Sequence, residues 1–181
     1  MRRSTRLLLL GLIGSLTACR TQVKGSRSSS IPEKYQSVYH LPTLRAGVTL
    51  NDITGSNSLG APVHISLANR THSSLLFVSS PHCPFCRINF HNWRTLKSGV
   101  SNDQIVWLDT TGTVDALYLK SYGISSDSRV LASSDFSSQL GIDPLPTPTT
   151  ILVSPRGVVL WIGSGVLSDE QVKSLGLAMR T

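Results

Sequence analysis

A chain of 181 residues, 40% of them hydrophobic, has room for one domain with a sizeable core plus appendages. The formal charge of +7 drops to +4 from position 19 onward, once Arg2, Arg3 and Arg6 are set aside. That mild bias suits an anionic membrane surface. With no like-charged block interleaved with aromatics, it gives no ground for binding nucleic acid. The three cysteines divide into a lone Cys19 and the pair Cys83 and Cys86.

At the start of the chain, Arg2, Arg3 and Arg6 form a basic region. Leu7 to Leu16 is an apolar stretch too short to span a bilayer comfortably, and it ends in Leu16-Thr17-Ala18-Cys19. This layout resembles the bacterial lipoprotein signal. The resemblance implies a signal peptide over 1–18 and a lipidated Cys19 that becomes the new N-terminus. Several acyl chains meet the need for more than one chain in stable anchoring. A plain secretory signal with Cys19 as a stray thiol is the other reading. Residues 19–43 are polar and Ser-rich from Arg20 to Ser30, a composition expected of a flexible tether. The folded domain is expected over 44–181.

Within that domain, Val48 to Gly55 predicts a strand entering a turn at Gly55, and Val63 to Leu67 alternates like a second, half-buried strand. Leu75-Leu76-Phe77-Val78 reads as a buried central strand that stops at Ser79-Ser80-Pro81. His82-Cys83-Pro84-Phe85-Cys86 then stands where a helix would begin. A sulfur at a helix N-terminus meets unpaired N–H groups and the positive end of the macrodipole, which favour thiolate over thiol. The helix is predicted over Arg87–Lys97, with Phe85, Ile88, Trp93 and Leu96 on its apolar face. Gln104–Asp109 predicts another buried strand, with Asp109 as a cap or turn residue, and Thr113–Tyr122 a short helix stopped by Gly123.

Arg129-Val130-Leu131 leads into Asp135 to Ile142, a strand end followed by a short helix. Pro144, Pro146 and Pro148 exclude a helix. Thr149–Val153 and Val158–Ile162, joined by Ser154-Pro155-Arg156-Gly157, predict a hairpin. Ser168 with Gln171 three residues later forms a capping box that opens a last helix running to about Met179. Trp93, Trp107 and Trp161 are expected in the core. The order predicts an α/β domain whose mixed sheet is flanked by helices.

Cys83-Pro84-Phe85-Cys86 after a central strand, with Thr147-Pro148-Thr149-Thr150 opening a later hairpin, resembles the thioredoxin-like superfamily. Gly141 to Gly157 is similar to the extracytoplasmic TlpA/ResA-like branch, and Val48–Leu67 to that branch's extra N-terminal β-hairpin. The resemblance implies a thioredoxin fold and thiol–disulfide exchange, with Cys83 as nucleophile and Cys86 as resolving thiol. It implies a Cys83–Cys86 redox disulfide with no further cofactor or metal. It also implies a cis peptide before Pro148, with the Thr147 backbone contacting an extended substrate. The partners it implies are thiols or disulfides of exported proteins and a membrane redox partner; a monomer is expected.

Two departures stand out. Superfamily members often bury a carboxylate six residues before the first cysteine, where this chain has Phe77; the ResA-like pattern often has Glu where this chain has Asn89. His82, beside Cys83, is a candidate for tuning the thiolate, and His91 a second. Arg87 adds positive charge next to Cys86. Cys-Pro-aromatic-Cys differs from the branch's usual Cys-x-Pro-Cys and leaves the direction of electron flow open. A peroxiredoxin-like thiol peroxidase and a lipoprotein module with a structural disulfide are the competing readings.

Overall fold

The computed structural model describes residues 44–124 and 129–180. The signal peptide, Cys19 and the tether read from the sequence lie outside the described residues. Seven strands and four helices follow in the order β1 (Ile53–Ser56), β2 (Pro62–Ile65), β3 (Ser74–Ser79), α1 (Pro84–Ser98), β4 (Ile105–Asp109), α2 (Ala116–Ser121), β5 (Arg129–Ala132), α3 (Phe136–Leu140), β6 (Thr149–Val153), β7 (Val159–Ser164) and α4 (Asp169–Ala178). The strands form one mixed sheet in the order β2-β1-β5-β4-β3-β6-β7. β3, β4 and β5 run parallel, while β6 and β7 lie antiparallel beside β3, and the β1–β2 hairpin lies antiparallel beside β5.

Successive strand residues point to opposite faces, and the two cores divide accordingly. Leu76, Val78, Val106 and Leu108 pack on the face covered by α3 and the segments around Leu50 and Leu67. Leu75, Phe77, Ile105 and Trp107 pack on the other, against α1 and Leu175 of α4. β3 is buried along its whole length, as a strand covered on both faces requires. The apolar run Leu75–Val78 is read correctly from sequence for that reason.

Several expectations are corrected. Gly55 sits inside β1, not in the hairpin turn. A Cβ there would lie 2.8 Å from the Ala132 carbonyl oxygen, so the missing side chain is what lets β1 approach β5. The turn lies at Asn57–Ala61, where the Asn57 side chain accepts from the Leu59 and Ala61 N–H groups. The helix after the cysteines begins at Pro84, one turn earlier than expected, because proline is well suited to the first helical position. Its buried face is Cys86, Asn89, Phe90, Trp93 and Leu96; Phe85 and Ile88 are exposed. α2 is shorter than the predicted helix because Asp115 caps it from within, accepting from the Leu117 and Tyr118 N–H groups. Trp161 is half-buried on β7, an edge strand, rather than in the core.

Candidate active site

β3 delivers the chain to the end of the sheet at Ser79, and a tight turn hands it to α1. In that turn the Cys83 N–H donates to the Ser80 carbonyl at 3.1 Å. The Ser80 hydroxyl accepts from the His82 N–H at 3.3 Å. Cys83 is the N-cap residue of α1, with extended backbone. Its sulfur takes the part usually played by a Ser or Asp oxygen, accepting from the Cys86 N–H at 3.0 Å. The first-turn N–H of Cys86 therefore points at the outer sulfur.

Cys83 and Cys86 are joined as a disulfide with Cα atoms 5.3 Å apart. The two sulfurs differ in access: Cys83 is partly exposed, whereas Cys86 is fully buried. Under Cys86 lies an aromatic floor. Phe77 stacks on Trp93 at 5.0 Å between centroids and meets Trp107 edge-on at 4.8 Å. Phe77, six residues before Cys83, therefore contributes ring surface and no proton acceptor.

The proline segment arrives from the other side of β3. Thr149 is paired with Val78, which puts Pro148 at the same end of the sheet as the turn bearing Cys83. The Thr147–Pro148 peptide is cis. Pro148 is buried, Thr147 is partly exposed, and the Pro148 carbonyl accepts from the Gly165 N–H at 2.8 Å. A second cis peptide, Asp143–Pro144, was not expected from the sequence.

Two polar residues named in the sequence, Asp109 and Asn89, are buried on the α1 face, which the sequence did not indicate. Asp109 ends β4 opposite Ser79 and is 2% exposed. One oxygen, Oδ1, accepts from the Thr111 N–H at 2.9 Å and the Thr111 hydroxyl at 2.6 Å, so the expected turn role is present. The other oxygen, Oδ2, is buried without a hydrogen-bond partner. Burial raises the Asp109 pKa above the usual carboxylate range; the bonds from Thr111 oppose this, as does His82, while Asp115 adds to it. Burial likewise raises the Tyr118 phenol, whose hydroxyl donates to the Ser80 carbonyl at 3.2 Å. Asn89 is fully buried one helical turn after Cys86. Its Oδ1 accepts from the Leu167 N–H at 3.0 Å, and its Nδ2 is buried with no partner.

The remaining candidates separate. His82 is exposed beside Cys83 and acts electrostatically on Asp109. His91 is exposed on the far side of α1 from Cys86, because five residues turn a helix well past a right angle. Arg87 Nε donates to the Tyr122 hydroxyl at 2.9 Å, which ties its guanidinium to α2.

No family model and no curated protein matches the chain. Solved structures do. The thioredoxin domain of a thiol–disulfide oxidoreductase from Bacteroides vulgatus superposes with a TM-score of 0.57 at 15% identity, covering 76% of this chain and 99% of that one. A thiol:disulfide interchange protein of the thioredoxin family from Chlorobium tepidum TLS gives 0.56 at 17%, covering 75% and 99%. Peroxidoxin BcpB from Mycobacterium tuberculosis gives 0.57 at 17%, covering 76% and 97%. With Cys-x-x-Cys at the head of α1 and a cis proline opening β6, the described chain has the thioredoxin fold, extended by an N-terminal β-hairpin.

Proposed function

We propose that this protein is an extracytoplasmic thiol–disulfide oxidoreductase, tethered to a bacterial membrane through Cys19, that reduces or reshuffles cysteines of exported proteins. The observation that carries the reading is the asymmetry of the cysteine pair. Cys83 is accessible and receives the first-turn N–H of Cys86, while Cys86 is sealed beneath it. An attacking sulfur needs access and a stabilised thiolate; a resolving sulfur needs only to reach its neighbour.

Exchange follows from that arrangement. The Cys83 thiolate attacks a substrate disulfide, forming a mixed disulfide and expelling one substrate thiolate. Cys86 loses its proton, which the expelled thiolate takes up, and attacks Cys83. The Cys83–Cys86 bond forms, the second substrate thiolate leaves, and the substrate has gained two electrons. The same steps reversed oxidise a dithiol. Thr147 and the cis Pro148 would receive the substrate backbone as an extra strand beside the sulfurs, since proline offers no competing N–H there.

Accelerated reduction of insulin by dithiothreitol, abolished in Cys83→Ser, is the expected result. Wild-type protein that leaves the insulin rate unchanged would favour a structural disulfide. The likeness to a peroxidoxin keeps a thiol peroxidase as the second reading, tested by hydrogen peroxide consumption with a thiol donor. The potential of the pair against glutathione gives the direction of flow, with about −270 mV marking a reductant and about −120 mV an oxidant. Palmitate labelling that persists in Cys19→Ser would refute the anchor.

A further inference from the structure

Asn89 holds a buried hydrogen-bond donor in reserve one helical turn beyond Cys86. Its amide orientation is fixed by chemistry. The Leu167 N–H can only donate, so the atom 3.0 Å from it must be the oxygen. Asn92 Nδ2 reinforces the assignment, donating to the same oxygen at 3.3 Å and to the Leu167 carbonyl at 2.9 Å. The amide nitrogen is therefore the unpartnered end, in a residue that is fully buried. An orphan donor of this kind carries a desolvation cost that a structural role alone, already met by Oδ1, does not require.

Cys86 lies one turn before Asn89 on the same buried face of α1, and in the disulfide state no hydrogen bond joins the two. Residues three apart lie on one face of a helix, and helical side chains slope toward the N-terminus, so Asn89 covers the turn that ends at Cys86. In the disulfide the Cys86 sulfur is a weak acceptor. On reduction it becomes, during resolution, a buried anion, and such an anion needs a donor. We infer that Asn89 Nδ2 is the reserved donor for the Cys86 thiolate, making Asn89 a positioning and stabilising residue for the resolving step. This rests on the thiol–disulfide reading above.

One other buried donor in the cluster of Cys86 is unpartnered, Trp107 Nε1, but it stands on β4 rather than one turn from Cys86 on α1. Cys86 shares its cluster with Phe77, Trp93, Trp107, Leu167 and Met179, none of which titrates. His82 and Arg87, its neighbours along the chain, are exposed, and Asp109 at the end of β4 is the one buried carboxylate among the described residues. Tyr118 and Tyr122 face in from α2, while Asp169, Glu170 and Lys173 of α4 are exposed. A neutral amide has one further consequence. Its donor strength does not change with pH, so resolution stays effective across the range over which a carboxylate at the same place would titrate.

The test reads the thiol directly and needs no substrate. In the reduced protein, the Cys86 Cβ chemical shift is followed against pH in wild type, Asn89→Asp, Asn89→Leu and Asn92→Ala. Asn89→Asp keeps the acceptor for Leu167 and replaces the donor with an anion, so it carries the test even if Asn89→Leu fails to fold. Thiolate at a given pH should fall about tenfold in Asn89→Asp and in a folded Asn89→Leu, and should be unchanged in Asn92→Ala. Wild-type titration in Asn89→Asp, or an equal shift in Asn92→Ala, overturns the inference. Because insulin turnover is not the readout, a failed titration and a failed activity assay are told apart.

Discussion

Trp93 Nε1 donates to Thr150 Oγ1 at 2.8 Å, a buried bond between residues 57 apart in sequence. It fastens the helix that carries the cysteine pair to the strand that opens with Pro148, so the two halves of the site share one rigid join. Thr150→Val keeps the shape and strands the indole N–H. It should lower stability by about 1–3 kcal/mol in urea unfolding. Pairing it with Trp93→Phe, which removes the donor as well, should cost less than the sum of the two single losses. Strict additivity of the two would show that the bond couples nothing.

Blocking the second exchange step should expose the first. Cys86→Ser leaves the accessible sulfur and its helix-terminal setting in place. It should accumulate mixed disulfides with substrate proteins that survive non-reducing gels and vanish on added dithiothreitol. Cys83→Ser should trap none, because its remaining thiol is buried. Equal trapping by the two variants would reverse the assigned roles.

Burial raises the Asp109 carboxyl above its ordinary value of 3.8, and this fixes the sign of a pH effect. Between that value and the raised folded one, the unfolded chain has released the proton while the folded chain still holds it. Stability therefore falls as pH rises through this window and is flat above it. Asp109→Asn keeps the acceptor for Thr111 and cannot ionise. Its stability relative to wild type should grow as pH climbs out of the acid range and then level. A difference independent of pH would mean that Asp109 titrates normally.

Gly55 meets the Ala132 carbonyl oxygen too closely for any side chain. Gly55→Ala should loosen the hairpin from β5 and cost about 1–3 kcal/mol, the usual range for overpacking. Amide exchange should quicken in β1 and β2 and stay unchanged at β3. Protection lost equally across the sheet would show that the hairpin and the central strands unfold as one unit.

Some of this molecule is written in short segments of sequence. The apolar run ending at Ser79, the cysteines at a helix start, the Ser168 capping box and the Pro155–Gly157 turn each depend on neighbours in the chain, so local pattern suffices to place them. Phe85 and Ile88 fall outside the buried face of α1 because that face is centred on Cys86, Asn89, Phe90 and Trp93, and a polar Asn89 within it hides its position from an apolar pattern.

What tertiary structure alone decided is the state of the polar residues around the sulfurs. Asn89 is spoken for by Leu167, 78 positions away, and Asp109 is buried at the end of β4, where it pairs with Ser79 of β3. The meeting of Cys83 and Cys86 at a helix terminus was legible in the sequence, because a strand ending at Ser79 and a proline suited to the first helical position put both sulfurs on one turn. Whether a nearby amide or carboxylate is solvated or sealed depends on contacts from remote segments, and no local pattern encodes those.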